Sequence, residues 1–320
     1  MSHEAYCTRA PSLDLTEEFD VPHDQCPFCN SRAMFSEDHD FSGRRIDRCR
    51  TCALLFMNPQ YTEDYLNQYY GQYGTCGQDT LEIPDPDNLS VRRVAAKADA
   101  FQLLARHTNP GRLLSIGCYD GVELLLAERN GWNPEGYDVD RATMNLLREQ
   151  VDFPIYSGDF FELGIPSDTY DCVCMDQVLE HPKNPQDYLN EVWRILRPGG
   201  VLYIGCPNIK SLSNRFKTVL GKWHLKKRRG KHYDMFHHLF FYDPRTLTRI
   251  LETYIGFQII VAQGDPIIGL KTQTLTDNWR VRLSNWCRRS SPILESSFRL
   301  VVRKPQSDAP PSTASNRVAA

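Results

Sequence analysis

The sequence predicts an α/β chain whose doubly wound, mostly parallel sheet binds a nucleoside ligand at the ends of its strands. Leu113–Ile116 is a short apolar run suited to a buried strand, and it ends in the tight turn Gly117-Cys118-Tyr119-Asp120-Gly121. Val122, Leu124, Leu125, Leu126 and Ala127 then recur at helical spacing, with Glu123, Glu128 and Arg129 opposite. Gly131 and Pro134 stop that helix, and Glu135–Asp138 reads as a second strand ending in a carboxylate. Strand, turn, helix and strand make a βαβ unit with a right-handed crossover. Glycines at the turn let backbone approach a ligand, and the helix start offers N–H groups to an anion. Asp138, 21 residues after Gly117, stands where doubly wound folds place the acid that holds a ribose. Tyr119 replaces the second glycine of the dinucleotide pattern, which disfavours a pyrophosphate.

Downstream segments narrow the ligand further. The stretch from Leu113 resembles motif I of the class I S-adenosylmethionine-dependent methyltransferases. Gly158-Asp159-Phe160 looks like that family's adenine-recognition loop, and Tyr170–Asp176 like its fourth strand. Gln177-Val178-Leu179-Glu180-His181 matches its "VLEH" segment, and Leu196–Ile204 its "LkPGG" segment plus strand five. Pro207-Asn208, His238–Phe241 and Gly256-Phe257 extend the match, which runs from Leu113 to Phe257. The resemblance implies a Rossmann-like class I methyltransferase fold, a mostly parallel seven-stranded sheet with one antiparallel strand. It implies S-adenosylmethionine as cofactor, held by Ser115, Gly117, Tyr119, Gly121, Asp138, Val139, Asp159, Phe160 and Asp176. Ser115 stands where the family usually has an acid near the methionine amino group, and Tyr119 where it has a glycine. In ubiquinone-pathway O-methyltransferases, which the segment also resembles, carboxylates beside the LEH motif hold a divalent ion. Gln177 replaces the earlier carboxylate here, so no such ion is predicted.

At 320 residues the chain can bury a large core and carry a second, small unit. A net charge of −3 with 24% charged residues describes a soluble globular protein. No apolar run approaches 18 residues and no basic-then-apolar start is present, so neither a membrane span nor a signal peptide is expected. The expected compartment is the cytoplasm, where the 11 cysteines stay reduced or bind metal.

Two C-x2-C pairs, Cys26/Cys29 and Cys49/Cys52, lie 19 residues apart, within zinc-ribbon spacing. Four thiolates leave no open coordination position, so this zinc is structural. Between the pairs His39, Asp40 and Arg48 offer little core, which assigns the metal the task of holding the segment together. Asn30 suits a left-handed turn after the first knuckle, and Ala53 suits one less well. The opening resembles the zinc-binding segment ahead of some bacterial methyltransferases that act on sugars and natural products.

The expected organisation is a loosely ordered tail at 1–22, a ribbon at 23–75, a methyltransferase domain at 76–303 and a disordered tail at 304–320. Helices are expected at Ser90–Arg106, Arg141–Gln150 and Pro185–Leu196, and strands at Pro154–Ser157, Phe257–Ala262 and Phe298–Val302. The insert at 208–243 faces the substrate side, with eight cations and no acid between Arg215 and Lys231. Its charge suits a diphosphate-linked acceptor, a membrane surface or, less well, nucleic acid.

The reading is a methyltransferase that O-methylates a small molecule such as a sugar, glycan precursor or natural product. The alternatives are an RNA methyltransferase gripping with the ribbon and Lys226–Arg229, or a non-catalytic interaction protein. His181, His237 and His238 are the candidate general bases, since a neutral imidazole can take the acceptor's hydroxyl proton.

Overall fold

The computed structural model describes residues 16–40, 42–73, 80–212, 214–215, 233, 237–264 and 295–306. The chain opens with a meander of three antiparallel strands, β1 (Met34–His39), β2 (Arg45–Cys49) and β3 (Leu55–Asn58), followed by helix α1 (Glu63–Tyr73). Helix α2 (Arg92–Leu104) leads into the alternating part: β4 (Arg112–Ile116), α3 (Val122–Arg129), β5 (Asn133–Asp138), α4 (Arg141–Arg148), β6 (Ile155–Ser157), β7 (Tyr170–Asp176), α5 (Pro185–Ile195) and β8 (Leu196–Pro207). A two-residue strand β9 (Phe240–Phe241), helix α6 (Pro244–Ile250) and strands β10 (Gln258–Gly264) and β11 (Ser297–Arg303) complete the described elements.

The large sheet has seven strands in the order β10-β11-β8-β7-β4-β5-β6. β4 pairs parallel with both β5 and β7, and β11 runs antiparallel between β8 and β10. This is the predicted class I arrangement, with one reversed strand. The sequence order turns back at β4, whose neighbours β5 and β7 belong to opposite halves of the sheet. A crevice opens at such a switch point, beyond the carboxyl ends of the strands. Gly136 on β5 lets α3 close down on the sheet, because a Cβ there would meet Leu124 Cδ1 at 2.8 Å and Cys118 Sγ at 2.9 Å.

The ribbon differs from expectation in two ways. Its sheet has four strands, because β9 joins it: Leu55 pairs with Phe241 and Phe56 with Phe240, so an arm of the methyltransferase domain becomes part of the ribbon. It also has an apolar interior that the residues between the cysteine pairs did not suggest. Phe28, Ile46, Leu54 and Phe56 are fully or almost fully buried, and they belong to one continuous core with Leu114, Val173 and Ile204 of the large sheet. The ribbon's core takes Ile46 from between the cysteine pairs, Leu54 and Phe56 from the run after them, and further apolar partners from the neighbouring domain.

Residues at the inner end of each expected tail are packed against the fold. Phe19 bridges to Tyr61 and stacks on its ring at 4.9 Å, Asp20 N–H donates to Gln60 C=O, and Lys183 pairs with the Asp20 carboxylate. At the other end Lys304 is buried, its Nζ 2.7 Å from both Asp168 Oδ1 and Leu196 O. The rest of the expected tails, 1–15 and 307–320, lies outside the described residues, as do Lys226, Lys227, Arg228 and Arg229 of the basic insert. Among the described residues no helix is long and apolar enough to cross a membrane.

Leu114 sits at the middle of β4 with no exposure, between two parallel neighbours. Leu114→Ala should cost about 2–5 kcal/mol of stability through lost burial and the cavity left behind. Denaturant unfolding checks this, with Val139→Ala, at a 42% exposed position, as the near-neutral control.

Candidate functional site

After β4 the chain turns through three left-handed residues, Gly117 (φ 77°), Tyr119 (φ 46°) and Gly121 (φ 76°). At Gly117 a Cβ would run into the Val178 side chain of the loop after β7. Tyr119 takes the left-handed conformation despite its side chain, and its ring lies 5.6 Å from the Arg93 guanidinium. Its N–H donates to Asp138 Oδ2 at 3.1 Å, while Asp138 Oδ1 accepts from Asp140 N–H at 3.2 Å. Asp138 therefore braces the turn from the end of β5. Burial pushes its carboxyl up to about 6, against the pull of those backbone N–H groups. Val139, the next residue, is exposed.

One N–H at the start of α3, that of Val122, already has an internal partner. Asp120 already sits there, accepting from Val122 N–H at 3.3 Å and pairing with Arg93. Arg93 and Lys97, one turn apart on α2, bring cations here, Arg93 to Asp120 of the turn and Lys97 to Glu123 of α3. Lys97 pairs with Glu123 and lies 2.9 Å from Asp176 Oδ2 at the end of β7. Lys97 in turn holds the buried Asp176 carboxyl below its ordinary value, against the opposing pull of burial. Ser115, buried, donates to Glu123 Oε1 at 3.0 Å. On the adenine side Asp159 caps a short 3-10 turn, accepting from Phe161 N–H at 2.9 Å. Phe160 is buried, with its ring stacked on Tyr188 at 5.2 Å.

The three candidate histidines separate into two groups. His181 and His238 come together, ring centroids 4.8 Å apart, with His238 Nε2 3.9 Å from Glu180 Oε1. His237 turns away into the tyrosines of α1: its Nε2 is 2.8 Å from Tyr65 Oη and its ring 3.8 Å from that of Tyr69. The cause is the backbone, which is left-handed at His237 (φ 56°) and throws successive side chains to opposite sides. Tyr70, also on α1, bonds His181 Nδ1 at 2.7 Å. Burial depresses His181 to about 4 and His238 well below its ordinary value, and it raises Glu180 to about 8. The pair is thus neutral near pH 7. Ligand atoms of Glu180, His181 and His238 lie within 4.8 Å of one another, a donor set able to hold a divalent cation. That grouping was not expected, since Gln177 had argued against an ion at the LEH motif and His238 arrives from a distant segment. Glu180, Tyr65, Tyr70, Arg93, Lys97 and Glu123 were all missed as site residues. Of these only Glu180, inside the quoted LEH segment, had a local signal.

Sγ atoms of Cys26, Cys29, Cys49 and Cys52 also lie within 4.8 Å of one another, with Cys26–Cys52 at 3.6 Å and Cys29–Cys49 at 3.5 Å. A disulfide needs about 2.05 Å, whereas tetrahedral thiolates around zinc stand about 3.8 Å apart. The two knuckles share one turn, Asn30 N–H to Cys26 C=O and Ala53 N–H to Cys49 C=O, and both Asn30 and Ala53 are left-handed. Ala53 takes that conformation despite its Cβ, in the same hydrogen-bonded turn as Asn30. These residues fit a structural zinc.

A family model described as a methyltransferase domain matches residues 91–261. The chain belongs to this methyltransferase family. Among curated proteins it is 29% identical over 160 residues to a Mycolicibacterium smegmatis protein described as "Probable S-adenosylmethionine-dependent methyltransferase", covering 50% of this chain and 56% of that protein. It is 24% identical over 209 residues to the ubiquinone biosynthesis O-methyltransferase of Parvibaculum lavamentivorans, covering 61% of this chain and 76% of the relative. The chain thus spans about half the length of the first relative. A solved S-adenosylmethionine-dependent methyltransferase from Archaeoglobus fulgidus aligns with TM-score 0.47 at 20% identity, covering 66% of this chain and 94% of that one. The family match runs from α2 into the first part of β10, and so includes the turn, Asp138, the LEH segment and His238.

Two measurements follow from this geometry. Elemental analysis should find about one zinc per chain and less than half of that in Cys26→Ser, with faster proteolysis within 23–58. For His181 the folded value of about 4 lies below its ordinary 6.5, so the unfolded chain takes up the proton first. Its contribution to stability is therefore lost as pH falls from 6.5 towards 4. His181→Gln should lose less stability than the wild type across that window in thermal denaturation at fixed pH steps, and parallel curves would refute the assignment.

Proposed function

We propose that this chain binds S-adenosylmethionine and transfers its methyl group to a hydroxyl of a small-molecule acceptor. The observation that carries this reading is the pair of neutral imidazoles, half-buried His181 and buried His238, on the loop edge beyond the same sheet end that carries the glycine turn and Asp138. In this reading Gly117 and Gly121 lie under the methionine part, and Asp138 and Val139 meet the ribose. Asp159 and Phe160 meet the adenine, while Tyr119 and Asp176 flank the methionine end.

The sulfonium methyl is already activated, so alignment of acceptor oxygen, methyl and sulfur supplies much of the acceleration. When bound, the cofactor supplies an electrophilic carbon and a neutral thioether leaving group. The protein's task is to take the hydroxyl proton as the oxygen attacks. His181 does this from Nε2, while Tyr70 holds its Nδ1. His238 supports it with Glu180, and His237 fixes the wall of tyrosines rather than acting as base. A small-molecule acceptor is favoured over RNA by the state of the ribbon's cations: Arg44 pairs with Asp40 and Glu17, Arg45 with Asp47, and Arg48 with Glu37. Arginines spent on neighbouring carboxylates are poor phosphate grips.

Calorimetry tests the cofactor half of the proposal. Wild type should bind S-adenosylmethionine, and Asp138→Ala should bind it at least about tenfold more weakly, since hydrogen bonds to a charged group contribute roughly 1.5–3 kcal/mol each. Unchanged affinity in Asp138→Ala, or tighter binding of NAD by the wild type, would sink it.

A further inference from the structure

The second cysteine knuckle leads straight to the imidazole side of the site. Cys49 N–H donates to Leu54 C=O at 3.0 Å, and β3 begins at the next residue. β3 holds the arm at 239–241 along its length. Leu55 pairs with Phe241, Phe56 pairs with Phe240, and Met57 N–H donates to Leu239 C=O at 2.9 Å. On its other side the arm meets the loop after β7, where Leu239 N–H and Phe240 N–H donate to Glu180 C=O at 2.9 and 3.2 Å. His238, the residue before the arm, has its ring 4.8 Å from that of His181. A run of backbone hydrogen bonds thus joins the cysteines to the two imidazoles. The first knuckle adds a side-chain contact, since Phe28, between Cys26 and Cys29, packs edge-on against Tyr254 at 5.5 Å. The glycine turn has a separate brace, Asp138 from β5.

The cysteines that anchor this run are unequal. Cys26, Cys49 and Cys52 have no exposure, whereas Cys29 is half-buried. Cys29 and Cys49 belong to different knuckles, with their sulfurs 3.5 Å apart. Oxidation is selective for the accessible thiolate. With hydrogen peroxide as oxidant, the Cys29 thiolate attacks one oxygen, an S–O bond forms, the O–O bond breaks and hydroxide leaves. The Cys49 thiolate then attacks that sulfur, an S–S bond forms, the S–O bond breaks and a second hydroxide leaves. The two sulfurs lose two electrons, the peroxide gains them, and two solvent protons turn both hydroxides into water. One thiolate is lost from each knuckle, and a structural zinc needs all four.

We propose that the ribbon is a redox-sensitive clamp on the imidazole side. Oxidation of Cys29 and Cys49 frees the zinc, loosens β3 and releases the arm that places His238, while the cofactor side keeps its form. The meaning for methyl transfer rests on the function proposed above, in which His181 and His238 serve the acceptor. Release of the arm does not depend on that reading.

The test uses the full zinc-loaded chain, treated with hydrogen peroxide or, separately, with a zinc chelator under reducing conditions. Peroxide should release about one zinc per chain to a chromogenic chelator, and mass spectrometry of the unreduced digest should show a Cys29–Cys49 disulfide. Both treatments should speed amide hydrogen exchange at 55–58 and 237–241 at least about tenfold, with 112–138 within about twofold of untreated protein. S-adenosylmethionine affinity by calorimetry should also stay within about twofold. Thiol reductant plus zinc should restore the protection lost to peroxide, which separates a switch from irreversible damage. Zinc kept in peroxide, zinc lost with the arm still protected, or no Cys29–Cys49 disulfide would overturn the proposal. So would exchange raised equally across 112–138, or no recovery in reductant. Untreated protein that fails to bind S-adenosylmethionine would instead sink the cofactor reading, with the exchange data still deciding the clamp.

Discussion

The site depends on one steric constraint at the carboxyl end of β4. The strand is buried between two parallel neighbours, and its chain must leave the sheet within a single residue to start α3 on one face. Gly117 makes that exit at φ 77°, and the space a Cβ would need there holds the Val178 side chain. One glycine thus lets two loops from opposite halves of the sheet touch. Asp138 then locks the turn from a third strand through Tyr119 N–H. The crevice at the switch point is a consequence of this exit and of the strand order.

Charge at the turn follows the same geometry. A helix start with its N–H groups exposed attracts an anion, and here Asp120 supplies one from within the chain. That contact occupies the Val122 N–H, and Asp120 also pairs with Arg93. Lys97, one turn on, settles between carboxylates from α3 and β7. The buried ions are tolerated because each has an opposite partner, and removal of a single partner would leave an uncompensated charge.

The ribbon is coupled to the opposite, imidazole side of the site. β3 pairs with Phe240-Phe241, and on the other side of that arm Leu239 N–H and Phe240 N–H donate to Glu180 C=O. The cysteine-bearing sheet therefore sets the position of the segment that carries His238. Helix α1 adds Tyr65 and Tyr70 to His237 and His181. A unit whose cysteines are structural in chemistry thereby shapes the surroundings of every candidate base.

Much of this was legible in the residues alone. The βαβ unit from Leu113 to Asp138 has a local cause at each step, an apolar run, a glycine turn, a helical period and a stop, so the sequence by itself determined its elements to within a residue or two. The two C-x2-C knuckles were legible for the same reason, because chelating turns are short-range. Ser115 and Tyr119 stood out as departures, but their contacts were invisible: Ser115 meets Glu123 and Tyr119 meets Arg93 only once α2 and α3 pack beside the turn. His237 and His238, adjacent in sequence, read as equals, and only the left-handed backbone at His237 separated them. The pairing of β3 with Phe240-Phe241 joins residues more than 180 positions apart, and two phenylalanines carry no signal for so short a strand. Local periodicity and chelate spacing are properties of neighbouring residues, and the sequence determines them. Which buried charge meets which partner depends on distances set by packing across the whole sheet, and only the tertiary structure decided those.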